Sequence, residues 1–236
     1  MLEKILTDGF GEMGLTPHEK SIEQFRCYYE LLEQRNKVMN LTAISGEEDC
    51  ARLHFLDSSA ALLAADLKGK RVIEVGTGAG FPGLPLKILV PELEIILLDS
   101  LNKRVNWLNE VIAELGLTGI KAIHARAEEQ ALVKGYRDSF DFVTARAVAD
   151  LRLLGEICLP YAKVGGTFLS MKSVGSDEEL ANAAHAVKFM GGRVRGSQDY
   201  TIPGTAVSHR LIFIKKEKET DKKYPRPFAK IKKAPL

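Results

Sequence analysis

After a short β-branched run the chain reads Glu74-Val75-Gly76-Thr77-Gly78-Ala79-Gly80-Phe81-Pro82-Gly83. Glycines this dense between a strand and a helix let backbone approach a ligand with no Cβ in the way. Asp99 closes the next apolar run, EIILLD, where a carboxylate can accept both hydroxyls of a ribose. Arg146 ends a later run, FDFVTAR, and its planar guanidinium suits a phosphate or the O6 of a guanine. His54 and Asp57 stand three apart in a helical stretch, close enough to touch one another.

The glycine loop fits two templates. Gly78, Gly80 and Gly83 satisfy the dinucleotide spacing G-x-G-x-x-G. Gly76, Gly78 and Gly80, with Glu74 two residues ahead, satisfy the acid-x-G-x-G-x-G loop of Rossmann-like enzymes that bind S-adenosylmethionine. The neighbours favour the second template. Glu74 would meet the cationic methionine end of that cofactor, whereas a pyrophosphate beside it would be repelled. Asp99 fits either cofactor. A nicotinamide-dependent dehydrogenase therefore stands as the rival enzyme, and an RNA-binding module with a decayed cofactor fold as the rival outside enzymes.

What the chain lacks narrows the chemistry. Methylation of an exocyclic amino group generally uses an Asn/Asp-Pro-Pro-aromatic loop after the fourth strand. Thr144-Ala145-Arg146-Ala147-Val148 stands there instead. A C5-pyrimidine methyltransferase needs a cysteine nucleophile, but Cys158 lies inside the apolar run EICLP and reads as a packing residue. Targets that are nucleophilic unaided remain, a ring nitrogen such as guanine N7 among them. Such a target needs no covalent nucleophile and no general base, only alignment with the sulfonium methyl and electrostatic support.

Positioning these residues requires alternating strands and helices. RVIEV, EIILL, IKAIH, FDFVTA and GTFLSM read as five strands, and KRVNWLNEVIAELG between the second and third as a helix stopped by Gly116. A later helix begins at Ser176 with Glu179 three residues on, the spacing of a capping box. RVRGSQDYTI and SHRLIFIKK, separated by Pro203-Gly204, read as a closing antiparallel hairpin, which suits methyltransferases better than dehydrogenases. The expected fold is α/β, a Rossmann-like seven-stranded, mostly parallel sheet with an N-terminal helical extension. The expected parts are a helical cap over 1–68, the Rossmann-like domain over 69–214 and a basic tail over 215–236.

The 236 residues are 45% hydrophobic, 27% charged and 7% aromatic, a globular balance that excludes collagen-like and disordered classes. No apolar run is long enough for a bilayer span, and the three cysteines form no CxxC pair, so no metal site is indicated and a cytoplasmic setting is expected. The net charge of +2 is uneven: nine Lys or Arg against three acids from Lys215 onward give +6, leaving −4 for 1–214. With Pro225, Pro227 and Pro235 that tail is not expected to pack as a helix, and its charge suits a polyanion.

NKVMNLTAI (36–44), HFLDSSA (54–60), VIEVGTGAGFPGLPLKI (72–88), LLDSLNKRVNWL (97–108), ARAEE (125–129) and TARAVADL (144–151) together resemble the RsmG family, also called glucose-inhibited division protein B. The resemblance covers nearly the whole chain and extends to the basic end. It implies methyl transfer from S-adenosylmethionine to N7 of one guanine in 16S ribosomal RNA. The partner would be 16S rRNA, the small ribosomal subunit or an assembly intermediate, with no membrane involved and the protein a monomer. It also implies cofactor contact at Gly76, Gly78, Gly80, Phe81, Asp99, Ser100, Ala127, Glu128 and Arg146. Arg146, Lys172, Arg193, Arg195 and Arg210 are then candidates for RNA contact.

Each candidate has a plainer role to weigh against it. Phe81 fits a core, Glu128 an exposed surface, Arg146 an ion pair with Asp150 one helical turn on, and each basic residue a solvated face. His54 and Asp57 are expected to be structural or to position RNA. Asn36 and Asn40 are expected to cap a turn over the cofactor.

Overall fold

A computed structural model describes residues 1–146 and 149–236; Ala147 and Val148, at the end of the segment without a Pro-Pro motif, lie outside the described residues. Among the described residues seven strands form one sheet: β1 (Arg71–Val75), β2 (Glu94–Asp99), β3 (Ile120–His124), β4 (Phe140–Arg146), β5 (Ala162–Ser173), β6 (Gly192–Thr201) and β7 (Ser208–Lys216). Their order is β3-β2-β1-β4-β5-β7-β6. Strands β1 to β5 pair in parallel, while β7 runs antiparallel to both β5 and β6. The expected hairpin is therefore present. The order in which strands are added reverses between β1 and β4, and in such sheets ligands bind outside the carboxyl ends of the strands at that point. Because β7 is antiparallel, its first residues arrive at that same edge.

The central strands are buried on both faces, which is why β1 and β2 read as near-continuous apolar runs. One face is covered by α1 (Leu2–Glu12), α2 (Ser21–Met39) and a helical segment running over 47–63. Phe10, Phe25, Phe55, Tyr28 and Phe81 form a continuous aromatic chain with neighbouring ring centroids 5.0–5.6 Å apart, joining these helices to the glycine loop. The N-terminal helices thus share one hydrophobic core with the sheet. The other face packs against helices Leu151–Cys158 and Asp177–Phe189.

Two local expectations fail. Ser176 makes no side-chain cap; Glu179 instead accepts from the Leu151 N–H at 2.6 Å, the first residue of a different helix. The tail is not a loose basic segment. β7 continues to Lys216, two residues past the expected boundary, and Phe228–Lys233 is helical with Ile231 fully buried. Arg226 donates from its backbone N and Nε to Glu156 Oε1 and from a terminal nitrogen to Oε2, at 2.6–2.9 Å. Arg137 donates to the carbonyls of Thr220, Asp221 and Tyr224. These tertiary bonds overrule the local signal of two prolines, and Pro227 sits immediately before the helix, where its missing N–H costs nothing.

Candidate functional site

A cavity of about 980 Å³ opens at the carboxyl edge of the sheet, between the ends of β1, β2, β4 and β5 and the 47–63 segment. Its first wall is the glycine loop. Gly76 and Thr77 donate to Leu98 O at 2.9 and 3.1 Å, so the loop stays bonded to β2 as it turns away. Gly76 and Gly78 have φ of +72° and +60°, a region that side chains disfavour, and a Cβ on Gly78 would meet no atom within 4 Å. Gly78 thus leaves open space towards a ligand.

Gly80 does something else. A Cβ there would lie 2.5 Å from Leu84 Cδ1 and 2.8 Å from the Tyr28 hydroxyl oxygen. Gly80 is therefore a packing glycine beneath the loop and is not among the cavity-lining residues, and the Tyr28 hydroxyl donates to the adjacent Ala79 carbonyl. Glu74 also lies behind the loop. Fully buried, it accepts from the Gly83 N–H at 2.8 Å, its Oε1 has no partner among the described residues, and burial pushes its carboxyl up to about 8. It is not among the cavity-lining residues, and its carboxyl is turned to the backbone of the loop.

Asp99 and Ser100 line the cavity as expected. Asp99 Oδ2 accepts from the Gly78 N–H at 2.9 Å and Oδ1 from the Leu101 N–H at 2.8 Å, with Arg104 at 3.6 Å. One carboxylate therefore fixes the loop to the end of β2, and each oxygen keeps a second lone pair for a hydroxyl.

The far wall is a polar network centred on Arg146. Its guanidinium donates to Asp57 Oδ2 at 2.7 Å, to His54 Nδ1 at 3.0 Å and to Leu53 O at 3.2 Å. The expected alternative partner, Asp150, instead caps its own helix and pairs with Arg152. Since a guanidinium only donates, His54 Nδ1 accepts, and His54 Nε2 donates to Thr42 Oγ1 at 2.7 Å. Burial, with the Arg146 charge, lowers His54 to about 3, so it is a neutral link. Its ring stacks on Phe81 at 4.2 Å with 12° between planes. Residues Cys50–Leu56 around it are π-helical, a rare wide turn that tends to occur at functional sites. Asn36 holds Thr42 by two bonds of 2.9 Å to its backbone, and Asn40 ends α2 in the left-handed region, so both fix the turn over the cavity.

Two more groups, Tyr200 and His209, complete the network, and neither carries a local signal in the chain. Asp57 Oδ1 accepts from the Tyr200 hydroxyl and from His209 Nδ1, each at 2.7 Å. Burial pushes the Asp57 carboxyl up, but the His209 bond, the Arg146 charge and the Tyr200 hydroxyl outweigh it and hold it below its ordinary value. Only the polar start of β7, at the ligand-binding edge, could have drawn attention to His209.

Of the expected site residues, Gly76, Gly78, Phe81, Asp99, Ser100, Arg146 and Lys172 line the cavity, while Ala127 and Glu128 do not. The Ala127 carbonyl instead accepts from the Tyr161 hydroxyl at 2.6 Å. Lys172 is bound to Glu179 at 2.6 Å and to the Ala149 carbonyl. Arg210, with only 12% of its side chain exposed, is held between Asp199 and Asp177. Arg193 and Arg195 share Glu217. Lys172 is thus neutralised by a partly buried glutamate and Arg210 by two exposed aspartates, and Arg193 and Arg195 together present about one net charge.

The family profile described as "rRNA small subunit methyltransferase G" (GidB) matches residues 21–201. A ribosomal RNA small subunit methyltransferase G of Lachnoclostridium phytofermentans is 47% identical over 97% of this chain and 95% of its own length. That of Staphylococcus epidermidis is 45% identical over 98% and 97%. Among solved structures, TrmN of Thermus thermophilus superposes with a TM-score of 0.51 at 20% identity, covering 68% of this chain and 48% of that one. TYW2 of P. horikoshii in complex with MeSAdo gives 0.53 at 13% identity over 68% and 61%. At these identities the structural likeness speaks to the fold.

Proposed function

Because the chain belongs to the ribosomal RNA small subunit methyltransferase G family, we propose that its cavity brings S-adenosylmethionine and N7 of one guanine of 16S ribosomal RNA into line for methyl transfer. The observation that carries this reading is the two-walled cavity. One wall is open glycine backbone tied to a ribose-competent carboxylate; the other is a buried guanidinium network at the end of β4. Family membership removes the nicotinamide reading of Gly78, Gly80 and Gly83, two of which pack rather than face the cavity.

The residues present fit the cofactor. Gly78 offers a surface that any Cβ would occupy, Asp99 keeps lone pairs for the ribose hydroxyls, and Phe81 supplies an apolar face beside Arg146, whose guanidinium carbon lies 5.1 Å from the ring centre. When bound, S-adenosylmethionine supplies an electrophilic methyl group, and the electron pair of the broken carbon–sulfur bond stays on sulfur as a ring nitrogen takes the carbon. Guanine N7 brings its own lone pair, so no residue has to remove a proton. His54 is neutral and engaged at both nitrogens, and Asp57 is held by three donors that favour its charged form, so neither is placed as a base. The work of the chain is to align the two reactants and exclude water. We take the protein to act in the cytoplasm as a monomer on RNA of the small subunit; among the described residues no helix is long and apolar enough to cross a membrane.

The test is transfer of labelled methyl from S-adenosylmethionine to small-subunit RNA, free and in assembled particles, with nucleoside analysis. Label in 7-methylguanosine is expected. Cofactor binding without label in any of these substrates would overturn the reading.

A further inference from the structure

Among the described residues, the polar network leaves a cavity-lining histidine nitrogen without a hydrogen-bond partner. His209 spends Nδ1 on Asp57 at 2.7 Å, its ring lines the cavity with 31% of the side chain exposed, and Nε2 makes no hydrogen bond among the described residues. It stands at the start of β7, opposite Ser173 of β5. Because β7 is antiparallel, that is the edge where β4 ends in Arg146. Across the sheet order, Gly76, Gly78 and Asp99 occupy the β1–β2 half of the cavity, and Arg146, Met171 and His209 the β4–β5–β7 half. The first half suits the cofactor, which leaves the second for the acceptor.

Building on the reading that this acceptor is guanine N7, we propose that His209 selects guanine at the acceptor end of the cavity by donating from Nε2 to the O6 of the purine being methylated. Guanine shows two acceptors, N7 and O6, side by side on one edge, whereas adenine shows N7 beside an amino donor. With N7 turned to the incoming methyl, the neighbouring group at C6 is the natural place to read identity. A donor there pairs with guanine and opposes adenine. Asp57 prepares His209 as a donor: the carboxylate accepts from Nδ1–H and its hydrogen bond raises the ring's proton affinity above the ordinary value, and the protonated ring carries its second hydrogen on Nε2.

The charge around the site favours a carbonyl over a phosphate. A phosphate site needs unpaired cations, but here Arg146 is matched by Asp57, Lys172 by Glu179 and Arg210 by two aspartates, which leaves a phosphate only the one charge that a protonated His209 adds beyond Asp57. The remaining surface at this end includes Leu41, Ile44, Leu53, Met171 and Val207, an apolar lining suited to a flat base withdrawn from its stack.

The test compares RNA carrying guanine with RNA carrying 2,6-diaminopurine at the target position, where an amino group replaces O6. Wild type is set against His209→Asn, which keeps an amide near Nδ1 for Asp57, and His209→Gln, which places an amide near Nε2. For His209→Asn, kcat/KM on guanine should fall roughly 10- to 100-fold with little change on diaminopurine, and His209→Gln should recover much of the loss. Cofactor affinity should not move. In wild type the preference for guanine should shrink as pH rises, because a neutral ring bonded to Asp57 through Nδ1–H turns Nε2 into an acceptor. The charged and titratable groups facing the ring are Asp57, Arg146 on β4 and Tyr200 on β6, all unchanged in the variants.

An unchanged guanine-to-diaminopurine ratio in His209→Asn would overturn the proposal. So would an equal loss on both substrates with a salt slope lower by about one charge, the mark of a phosphate contact. Absence of 7-methylguanosine with wild type would overturn the reading of the reaction itself.

Discussion

Arg146 at the end of β4 donates to Asp57 Oδ2 at 2.7 Å, and this contact between residues 89 apart joins the sheet to the helical segment over the cavity. Both groups lie inside, with 15% and 2% of their side chains exposed. Removing one partner from such a pair leaves an uncompensated buried charge, which costs more than the pair itself contributes.

Arg146→Ala should therefore lower stability by about 3 kcal/mol or more and abolish methyl transfer. Arg146→Lys retains a charge but cannot reach Asp57, His54 and Leu53 O together, so it should keep more stability than activity. Urea denaturation and single-turnover transfer read the two effects. A fully active, stable Arg146→Ala enzyme would refute the role given to this network.

Two loop glycines separate binding from folding. Gly78→Ala should cost about 1 kcal/mol of stability through its left-handed backbone and weaken cofactor binding at least about tenfold. Gly80→Ala meets Leu84 and Tyr28, so it should cost about 1–3 kcal/mol by overpacking. Calorimetric cofactor titration beside thermal melting distinguishes them; the reverse pattern would mean that Gly80 faces the ligand.

Glu74 makes stability depend on pH. Its carboxyl is raised from 4.5 to about 8, chiefly by burial, so the folded state holds a proton that the unfolded chain releases. Its contribution is fully present below the unfolded value near 4.5 and is lost as pH climbs through about 8. Glu74→Gln keeps an acceptor for the Gly83 N–H and removes the titration. The variant should gain on wild type steadily between pH 5 and 8, and parallel stability curves would contradict the assignment.

The basic tail divides into structural and solvated charges. Arg226→Ala should destabilise by about 3 kcal/mol, since Glu156 is fully buried. Replacing the exposed Lys230, Lys232 and Lys233 by glutamine should leave folding and cofactor affinity alone and flatten the salt dependence of RNA binding. An unchanged slope would make these lysines ordinary surface.

Spacing along the chain revealed what lies close in sequence. The strand-glycine-helix alternation, the closing hairpin and the placement of Gly76, Gly78, Asp99 and Arg146 at one edge all follow from local pattern and the order of elements. Spacing does not say which way a glycine or its neighbour faces, and Gly80 and Glu74 pack behind the loop. Nor does it reveal pairings over long separations. His209 meets Asp57 across 152 residues and Arg226 meets Glu156 across 70, and neither pair has a local signature. Nor does spacing show that Lys172 and Arg210 are paired, since their carboxylate partners are brought to them by the fold.

The clasp between Arg226 and Glu156 also bears on how the protein is made. During synthesis Glu156 emerges 70 residues ahead of the side chain that neutralises it. Until Arg226 follows, the helix Leu151–Cys158 cannot bury that carboxylate without penalty, and the face of the sheet it covers stays loosely packed. The nascent chain can assemble the α1 and α2 face first. Closure of the opposite face waits on the strap that brings Arg226 back, so translation itself sets the order in which the two faces close.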